Sequence, residues 1–408
     1  MAEILFLAHR IPYPPDRGDK IRSFHILKHL AALAPVHLAA FADDEADLAH
    51  LRMLEPLTVS RHVEVRHVSH LRAGIAALAS QQPVSLPLFK SATMHAHVEQ
   101  VLARPEVTTI FAFSGQMAQY VPERLGRRRF VMDFVDMDSA KFVAYAKKAS
   151  GPMRWIMERE GSRLFAFEKL TAQRAHRSLF VSEAEAALFR RQSGIQQRWV
   201  DVLENGIDLD HYDPAVDHGP VELAGQGPLI VFTGQMDYRP NAEAVSLFAR
   251  ETMPLIRARV RDARFAIVGR NPDADVKALD TLPGVYVTGE VPEIRCWLAA
   301  ADVVVAPLRL ARGIQNKVLE AMAMACPVVA SPAAAEGIDA TPGTELVIAD
   351  GSAAEAEAVV TLLGDRTLAH DIGTAARARM AARYGWDARL APLGALVGIG
   401  KPALEPAA

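Results

Sequence analysis

The chain has 408 residues, half of them hydrophobic, which is enough for two domains with sizeable cores. A formal net charge of −3 gives no global positive field, so we expect no nucleic-acid partner. Two cysteines, Cys296 and Cys326, form neither a disulfide framework nor a zinc-ligand spacing. No apolar run reaches about 18 residues, and no charged leader precedes an apolar core. The sequence therefore predicts a cytoplasmic protein, in solution or peripheral at the inner face of the cell membrane.

The first elements of the chain predict a parallel α/β domain. Residues 3–8 are typical of a buried strand, residues 9–20 form a loop rich in proline and glycine, and a helix is predicted from Ile21. In such an arrangement Gly18 would let the backbone approach a ligand, and Arg22, in the first helical turn, would reach an anion. An ordinary strand-to-helix connection would show the same pattern.

Acidic residues follow one of the next strands. Strands are predicted over residues 36–41, 63–67, 109–114 and 130–135. The last of these leads into Asp136-Met137-Asp138, a D-x-D string of the kind that binds a metal–diphosphate in some sugar transferases. Acidic residues at strand ends are also common helix caps. Because ligands of open parallel sheets bind at the carboxyl ends of strands, we favour Asp136 or Asp138 lining an active-site cleft without a metal, and we expect no metal site.

Residues 141–177 predict a basic helical region. Nine lysines and arginines stand against three glutamates, a net charge of +6, with aromatic and aliphatic residues such as Trp155 and Ile156 between them. This region could contact an anionic membrane surface or hold a lipid-phosphate acceptor. A solvated helix face over a core stripe is the alternative interpretation, which we favour slightly.

A second parallel α/β domain is predicted after residues 213–228, a stretch rich in proline, glycine and acidic residues that reads as a linker. Helices are predicted over residues 241–257 and 292–300, and strands over residues 229–234, 264–269, 285–289, 302–306 and 327–331. Three of the strands end in glycine, at Gly234, Gly269 and Gly289. A glycine at the end of a strand lets a ligand lie against the backbone.

The stretch 306–325 contains the strongest candidate site. It follows a buried strand, turns at Gly313 and enters a helix predicted from about Ile314. Lys317 and Glu320 are three residues apart and share one face near the helix N-terminus, where unpaired N–H groups favour a phosphate. A cation and a carboxylate at this position suit an anionic sugar nucleotide. An exposed i,i+3 salt bridge would have the same spacing.

The second half of the chain resembles the group 1 (GT4-like) family of GT-B glycosyltransferases. The resemblance lies in residues 202–214, 284–309, 307–331 and 335–338 and in Tyr384-Gly385-Trp386, and it extends in register over residues 180–395. The first 180 residues match only in architecture and in the Gly18 loop, and look most like exopolysaccharide-associated (PEP-CTERM/EpsH-type) sugar transferases.

The resemblance implies an α/β protein of the GT-B class, with two Rossmann-like parallel-sheet domains facing across a cleft. The expected division is an acceptor-side domain over residues 1–212, a linker over 213–228, a nucleotide-sugar-binding domain over 229–380, and a C-terminal helix over 381–400 that crosses back to the first domain. Residues 401–408 are predicted to be disordered.

The resemblance also implies roles for individual residues. Glu320 would hold the nucleotide ribose, and Lys317, with Arg309 or Arg239, would neutralise the diphosphate. Gly18 would approach the donor phosphates. The remaining donor-side residues would be Gly313 beside the transferred sugar, Glu336 near the phosphates or ribose, Gly269 and Arg270 beside the base, and Arg22 and Gly234 near the donor.

Three positions depart from the family pattern. Arg312 stands where many members have a glutamate, as in a subset of the family, and would suit an acidic or phosphorylated sugar. Gln235 stands where an arginine is common, so Arg239 is the expected substitute. Ala325 replaces a frequent glycine, which we interpret as a packing change.

These features together predict a retaining glycosyltransferase of the hexosyltransferase type that acts in exopolysaccharide or cell-surface polysaccharide biosynthesis. Its partners would be a nucleotide-sugar donor and a glycan or polyprenyl-linked acceptor, without a cofactor or an obligatory metal. Asp136 would orient the acceptor or accept its proton. The alternatives are a non-catalytic sugar-nucleotide-binding module and a GT-B-fold nucleotide-sugar epimerase.

Overall fold

The structure, a computed structural model, describes residues 2–15, 17–66, 77, 80–311 and 314–399, apart from the side chain of Lys148. Contacts divide the chain into two compact units. The first runs to Asn205 and resumes at Arg389, and the second is Gly206–Ala388. Within the described ranges, no helix is long and apolar enough to span a bilayer.

The first unit contains a parallel sheet whose described strands follow the order β3-β2-β1-β4-β5-β6-β7. Its central strands are apolar on both faces, as expected for a sheet covered by helices on both sides. The strands are β1 Glu3–Ala8, β2 Val36–Ala42, β3 Ser60–Val65, β4 Val107–Phe113, β5 Arg129–Val135, β6 Arg177–Phe180 and β7 Val200–Val202.

The helices of the first unit connect these parallel strands. The described ones are α1 Gly18–Leu33, α2 Glu45–Leu48, α3 Ser85–Leu88, α4 Ala92–Leu102, α5 Asp138–Lys148, α6 Gly151–Arg174 and α7 Glu183–Ser193, with 3₁₀ segments at Ala49–Leu57, Gly115–Tyr120 and Gln197–Trp199. The first unit resumes at Arg389 within a short helix, α16 Trp386–Leu390, and a second short helix, α17 Leu393–Val397, follows. Ser182 caps α7 by accepting a hydrogen bond from the backbone N–H of Glu185.

Strand register brings three loops of the first unit to one edge of its sheet. Ala8 at the end of β1 pairs with Phe113 at the end of β4, and Phe113 pairs with Asp133 near the end of β5. The residues that follow β1, β4 and β5 therefore meet at the carboxyl edge, where parallel sheets bind ligands.

The second unit contains another parallel sheet, with described strands in the order β10-β9-β8-β11-β12-β13. Its strands are β8 Leu229–Thr233, β9 Arg264–Val268, β10 Val285–Gly289, β11 Val303–Ala306, β12 Val328–Ala330 and β13 Val347–Ile348. Its helices are α8 Arg239–Leu247, α9 Met253–Arg259, α10 Ala274–Lys277, α11 Arg295–Ala299, α12 Asn316–Ala323, α13 Pro332–Ala335, α14 Ser352–Gly364 and α15 Arg366–Arg379. The order of apolar segments in the sequence predicts this alternation correctly.

Two predicted helices are interrupted. The basic region 141–177 is not one helix: α5 and α6 are separated where Gly151 adopts φ +58, and Arg177 already belongs to β6. The helix predicted over residues 241–257 is split by a π-helical segment, Phe248–Thr252. Pro254, which has no N–H to donate to the preceding turn, accounts for that irregularity. A third predicted helix, over residues 292–300, is shortened at its start, because it begins only at Arg295, after Pro292.

The end of α12 explains the glycine that Ala325 replaces. Ala325 follows the C-cap residue Met324 and adopts φ +55, a left-handed conformation that favours glycine. The Cys326 N–H donates to the Ala321 carbonyl at 3.0 Å, which closes the helix end. The position therefore carries a backbone requirement, and the interpretation as a packing change is corrected.

The chain changes units earlier than the predicted linker. Residues 213–228 lie within the second unit, and so do residues 206–212. Ile207 forms a bridge with Gly385, and Arg377 donates to the Leu209 carbonyl at 3.0 Å, so this segment is held by the second unit's own helices. From Arg389 onward the chain packs in the first unit, where Thr109 donates to the Val397 carbonyl at 3.1 Å.

Candidate functional site

Glycines at the carboxyl ends of β8 and β9 leave space for a side chain from α12. Gly269 adopts φ +153, and a Cβ on it would lie 1.6 Å from the Gly234 carbonyl oxygen. A Cβ on Gly234 would lie 2.8 Å from the Asn241 Nδ2 and 2.9 Å from the Lys317 Nζ. Both positions therefore require glycine, and the absence of a Cβ at Gly234 admits Lys317 to the strand ends.

Lys317 places its ammonium group in this space. Its Nζ donates to the Asn241 Oδ1 at 2.6 Å and lies 4.2 Å from the centre of the Phe232 ring. Asn241 is oriented in turn, because its Nδ2 donates to the Gln235 carbonyl at 2.8 Å. Burial lowers the pKa of Lys317 to about 8, and the nearby Glu320 opposes that shift. The structure thus contains a partly buried cation whose orientation is fixed by Asn241.

Glu320 lies one turn further along α12 and is also partly buried. Burial raises its pKa, while the neighbouring Tyr212 hydroxyl and the charge of Lys317 act against that rise. The i,i+3 pair is therefore not a fully solvated surface salt bridge. It is a partly buried ammonium that donates to Asn241 and a partly buried carboxylate near Tyr212.

Several predicted donor-side residues lie elsewhere in the second unit. Arg239 is 88% exposed and forms an ion pair with Glu243 at 2.6 Å on its own helix, so it does not replace the missing arginine at Gln235 in this structure. Arg309 lies 3.4 Å from Asp350 and 3.9 Å from Glu355. Neither arginine makes a recorded contact with Lys317 within the described residues.

Of the other predicted donor-side residues, Arg270 lies at the glycine-rich edge. It donates to the Gln235 Oε1 at 3.4 Å, which places it beside β8 and β9. Glu336 is exposed and directly follows α13. Its neighbour Gly337 lies close to the side chain of Ile314, two residues before α12. Arg312 and Gly313 lie outside the described residues, so their predicted roles stay predictions.

The first unit has a pocket of its own at the carboxyl edge of its sheet, with a volume of about 510 Å³. Gly18 and Asp136 both line it, as the sequence predicts for a ligand-binding edge. A Cβ on Gly18 would meet no atom within 4 Å, so no packing contact in the protein explains this glycine. The pocket wall also includes Phe89, Phe113, Phe134, His9, Arg10, Lys141 and Asn205.

Arg22 also lines this pocket. It is 1% exposed, and its guanidinium forms hydrogen bonds of 2.9 and 3.2 Å with the two carboxylate oxygens of Asp133 and of 2.8 Å with Asn205. Its charge is therefore already paired with Asp133, which is buried in β5. The contact of Arg22 with an anionic ligand stays a prediction.

The same buried pair fixes the end of β5. Asp133 accepts a hydrogen bond of 3.1 Å from the backbone N–H of Val135, which has φ +69. That conformation is unfavourable for a β-branched residue, and strained backbone of this kind often marks functional sites. The turn at Val135 directs the chain into Asp136 at the pocket wall.

Asp136 and Asp138 share one lysine. The Lys141 Nζ lies 2.8 Å from Asp136 and 2.9 Å from Asp138. Partial burial acts against it, but these hydrogen bonds raise the pKa of Lys141. The ammonium group thus takes the position between the two carboxylates where a D-x-D metal would bind. Within the described residues, no group of three or more potential metal ligands is found.

A charged cluster after β1 was missed by the sequence analysis. The His9 Nε2 lies 3.2 Å from Asp19, and Arg10 bonds both Asp19, at 2.5 Å, and Asp43, at 2.8 Å. Burial raises the pKa of Asp19, but the hydrogen bonds from His9 and Arg10 outweigh burial and lower it well below the usual range. The buried His9 Nδ1 has no hydrogen-bond partner in the part of the chain that the structure describes. The signal that could have found the cluster is the His-Arg pair directly after the first strand.

Comparison with known proteins agrees with this architecture. Residues 227–365 match the family described as Glycosyl transferases group 1. A phosphatidyl-myo-inositol mannosyltransferase of Propionibacterium freudenreichii subsp. shermanii is 30% identical over 154 residues, 38% of each chain. A GDP-mannose-dependent alpha-(1-6)-phosphatidylinositol monomannoside mannosyltransferase of Mycobacterium tuberculosis is 28% identical over 219 residues, 48% of this chain and 54% of that protein. The chain thus spans about a third to a half of the length of these curated relatives.

Solved structures match nearly the whole chain. Sucrose-phosphate synthase of Thermosynechococcus elongatus has a TM-score of 0.56 and 18% identity, over 97% of this chain and 98% of that one. HepE of Anabaena, solved with UDP and glucose, has a TM-score of 0.58 and 17% identity, over 98% and 100%. These matches extend across both α/β units, with their two parallel sheets. The chain therefore has the two-domain, Rossmann-like GT-B fold, and its residues 227–365 match the group 1 glycosyltransferases.

Proposed function

We propose that the protein is a retaining glycosyltransferase that transfers a sugar from a nucleoside diphosphate donor to a glycan or lipid-linked acceptor. The observation that carries the proposal is the partly buried Lys317–Glu320 pair beside Gly234 and Gly269. A cation fixed at glycine-rich strand ends suits a diphosphate, and a partly buried carboxylate one helical turn away suits a sugar diol. The HepE structures with UDP and the GDP-mannose-dependent relative support a nucleotide-sugar donor.

Each proposed donor contact has a physical reason. The Lys317 ammonium neutralises charge on the diphosphate, and Glu320 accepts hydrogen bonds from the ribose hydroxyls. Arg270, beside the same strand ends, lies near the base. Arg309, Glu336, Gly313 and Arg312 are kept as donor-side residues on the resemblance alone. For Arg239 to contribute, it must leave its ion pair with Glu243.

The chemistry requires stabilisation of a leaving group. As the bond between the anomeric carbon and the phosphate oxygen breaks, negative charge develops on the nucleoside diphosphate. A cation that is already oriented and partly desolvated stabilises that charge without reorganisation during the reaction. Lys317 meets both conditions, because Asn241 holds its ammonium and partial burial removes water. No metal or cofactor is needed for this step.

We place the acceptor in the pocket of the first unit. Its wall combines phenylalanine rings with carboxylates, the combination that suits the apolar faces and the hydroxyl groups of a sugar. Asp136 orients the acceptor hydroxyl or accepts its proton once Lys141 shifts away. The Val135 backbone and the Arg22–Asp133 pair hold Asp136 in place. The phosphatidylinositol relatives and the resemblance to exopolysaccharide transferases favour a lipid-linked acceptor in cell-surface polysaccharide synthesis.

The helices α5 and α6 provide a surface for peripheral contact with an anionic membrane at its cytoplasmic face. Trp155 is 59% exposed, and Met153 and Ile156 beside it are also exposed. Two of the predicted basic residues make contacts within the protein, since Arg159 and Arg174 donate to backbone carbonyls. Lys147, Arg154 and Lys169 are the cations of this proposal. Flotation with phosphatidylglycerol vesicles tests it: binding that Trp155→Ala does not weaken would contradict it.

A thermal-shift screen against UDP-, GDP-, dTDP- and ADP-sugars, with and without a divalent metal, tests the donor proposal. We expect one nucleotide class to raise the melting temperature without metal. Stabilisation only with metal would restore Asp136 and Asp138 as ligands, and no stabilisation would contradict the donor site.

An assay of sugar transfer to lipid-linked acceptors then separates a transferase from the two alternatives, an epimerase and a binding module. An epimerase consumes the donor without an acceptor, and a binding module does not consume it at all.

A further inference from the structure

A second pocket of the first unit lies at the opposite edge of its sheet from the proposed acceptor pocket. It has a volume of about 450 Å³ and lies where α6 ends at Arg174 and where β6 and β7 begin. Since β6 and β7 are parallel, with Ser178 paired to Val200, this is the amino edge of the sheet. The proposed acceptor pocket lies at the carboxyl edge, so the two pockets are separate sites.

The cations of this second pocket have no acidic partner in the part of the chain that the structure describes. Arg174 and Arg198 line it, and none of its described lining residues is an aspartate or a glutamate. Arg174 donates at 2.8 Å to the carbonyls of Val121 and Pro122, and its buried Nε has no hydrogen-bond partner among the described residues. The positive charge of the two guanidinium groups therefore favours an anion in this pocket.

The indole of Trp199 orients the exposed arginine at the rim. The Arg198 Cζ lies 5.1 Å from the centre of the Trp199 ring, and the Arg177 Cζ lies 5.6 Å from it. Arg177 is engaged elsewhere, because it pairs with Asp201 at 3.1 Å and is not among the lining residues. Arg198 is thus the cation that a ligand meets at the rim, beside an indole that is 39% exposed and offers a flat apolar surface.

His176, which also lines the pocket, adds an uncharged donor. Its Nδ1 accepts a hydrogen bond of 3.1 Å from the backbone N–H of Phe130, so its Nε2 carries the hydrogen. Burial lowers the pKa of His176, and the charges of Arg129 and Arg177 act in the same direction. The ring is therefore neutral near pH 7 and offers an N–H group.

These groups match the chemistry of a phosphate, which accepts several hydrogen bonds and pairs with the planar guanidinium of arginine. The volume also lies in the range of small-molecule sites, about 300–1,000 Å³, and leaves room for more than the phosphate itself. We propose that this pocket binds a phosphate-bearing ligand, with Arg174 and Arg198 supplying the positive charge, and with the Trp199 indole packing against the rest of the molecule. The inference is independent of the proposed function, since none of these residues belongs to the proposed donor or acceptor site.

Arg198→Gln removes one positive charge from the pocket. Arg191→Gln, at the exposed end of α7 and outside the pocket, removes the same charge nearby and is the matched control. Both changes are made in the Lys317→Met background, so that phosphate binding at the proposed donor site does not contribute. Both arginines are exposed, so we expect the variants to fold, and circular dichroism and the melting temperature establish this.

Isothermal titration calorimetry with inorganic phosphate, glucose 1-phosphate and glucose identifies the ligand class. We expect glucose 1-phosphate to bind more tightly than inorganic phosphate, and glucose not to bind. Arg198→Gln should weaken the binding of glucose 1-phosphate by about tenfold, as for loss of a hydrogen bond to a charged group. Arg198→Lys, which keeps the charge, should lose less. Arg191→Gln should lose less than about twofold, because solvent and salt screen a charge outside the pocket.

Flotation with phosphatidylglycerol vesicles distinguishes a soluble phosphate from a lipid headgroup, which share this chemistry. A loss in Arg198→Gln for glucose 1-phosphate alone assigns a soluble ligand, and a loss for vesicles alone, absent in Arg191→Gln, assigns a lipid headgroup. Equal losses in the two glutamine variants, glucose bound as tightly as glucose 1-phosphate, or an unchanged Arg198→Gln would each overturn the inference. Failure of inorganic phosphate, glucose 1-phosphate and vesicles alike to bind would overturn it as well.

Discussion

At the scale of single residues, both proposed substrate sites consist of charges that the fold has already oriented. Asn241 orients Lys317 in the second unit, while Lys141 sits between Asp136 and Asp138 in the first. Buried charges without partners are costly, so each partner both stabilises its site and limits what the site can bind.

Lys317→Met tests the charge at the strand ends. Methionine fills much of the lysine's space over Phe232, so we expect the variant to fold. Nucleoside diphosphate binding should fall by about 10- to 100-fold at pH 7, because a contact with a charged donor contributes about 1.5–3 kcal/mol. Since the pKa of Lys317 is about 8, wild-type affinity should fall as the pH rises through that value and the ammonium is lost. Calorimetry across pH checks both effects; an equal pH dependence in Lys317→Met would contradict the assignment.

Gly18→Ala and Gly234→Ala form a pair with opposite structural expectations. A Cβ at Gly18 meets no protein atom within 4 Å, so the melting temperature should not change, while sugar transfer should fall if ligand phosphates approach there. A Cβ at Gly234 would lie 2.9 Å from the Lys317 Nζ and must displace it, so nucleotide binding itself should weaken. Thermal unfolding and binding are measured for both variants. Unchanged transfer in Gly18→Ala would remove this glycine from the site.

At the scale of elements, the end of α12 combines a stabilising contact with a strained backbone conformation. The helix is short, and its last residue is anchored by Arg377, whose charge is favourable near helix carbonyls. The following Ala325 stands in a left-handed conformation that non-glycine residues rarely adopt. The adjoining Gly373 also needs its small size, because a Cβ there would lie 2.0 Å from the Ala325 carbonyl oxygen.

Ala325→Gly should therefore stabilise the protein. Relief of the left-handed strain stabilises the folded state by about 1 kcal/mol. The greater backbone entropy of glycine in the unfolded chain offsets part of this gain. Ala321→Gly, inside the same helix, is the control and should destabilise by at least about 1 kcal/mol, because glycine lowers helix propensity. Denaturant unfolding measures both, and a destabilising Ala325→Gly would show that the strain is absent.

At the scale of the whole molecule, the chain leaves the first unit and returns to it. The returning helix α17 buries Leu393 and Val397 and accepts hydrogen bonds from Thr109 and Arg129. The first unit is therefore completed by residues from the far end of the sequence, whereas Lys317 and Glu320 lie in the continuous second unit.

Leu393→Ala should lower the stability of the first unit selectively. Leu393 is fully buried, and removal of a buried leucine side chain typically costs about 2–5 kcal/mol. The affinity for a nucleoside diphosphate, measured below the unfolding temperature, should stay unchanged, because Lys317 and Glu320 belong to the second unit. Calorimetry measures the loss of stability, and a nucleotide titration measures the affinity. Weakened binding would show that the first unit contributes to the donor site.

The sequence by itself determined the order of strands and helices, the two parallel sheets, the strand-end glycines and the placement of Lys317 and Glu320 on one helix face. These properties follow from local periodicity and from glycine's conformational freedom. Only the tertiary structure decided that Arg22 is neutralised by Asp133, that Asn241 holds Lys317, and that the chain changes units after Asn205. Such partners are far apart in sequence, and their pairing depends on which buried surfaces meet, which no local pattern records.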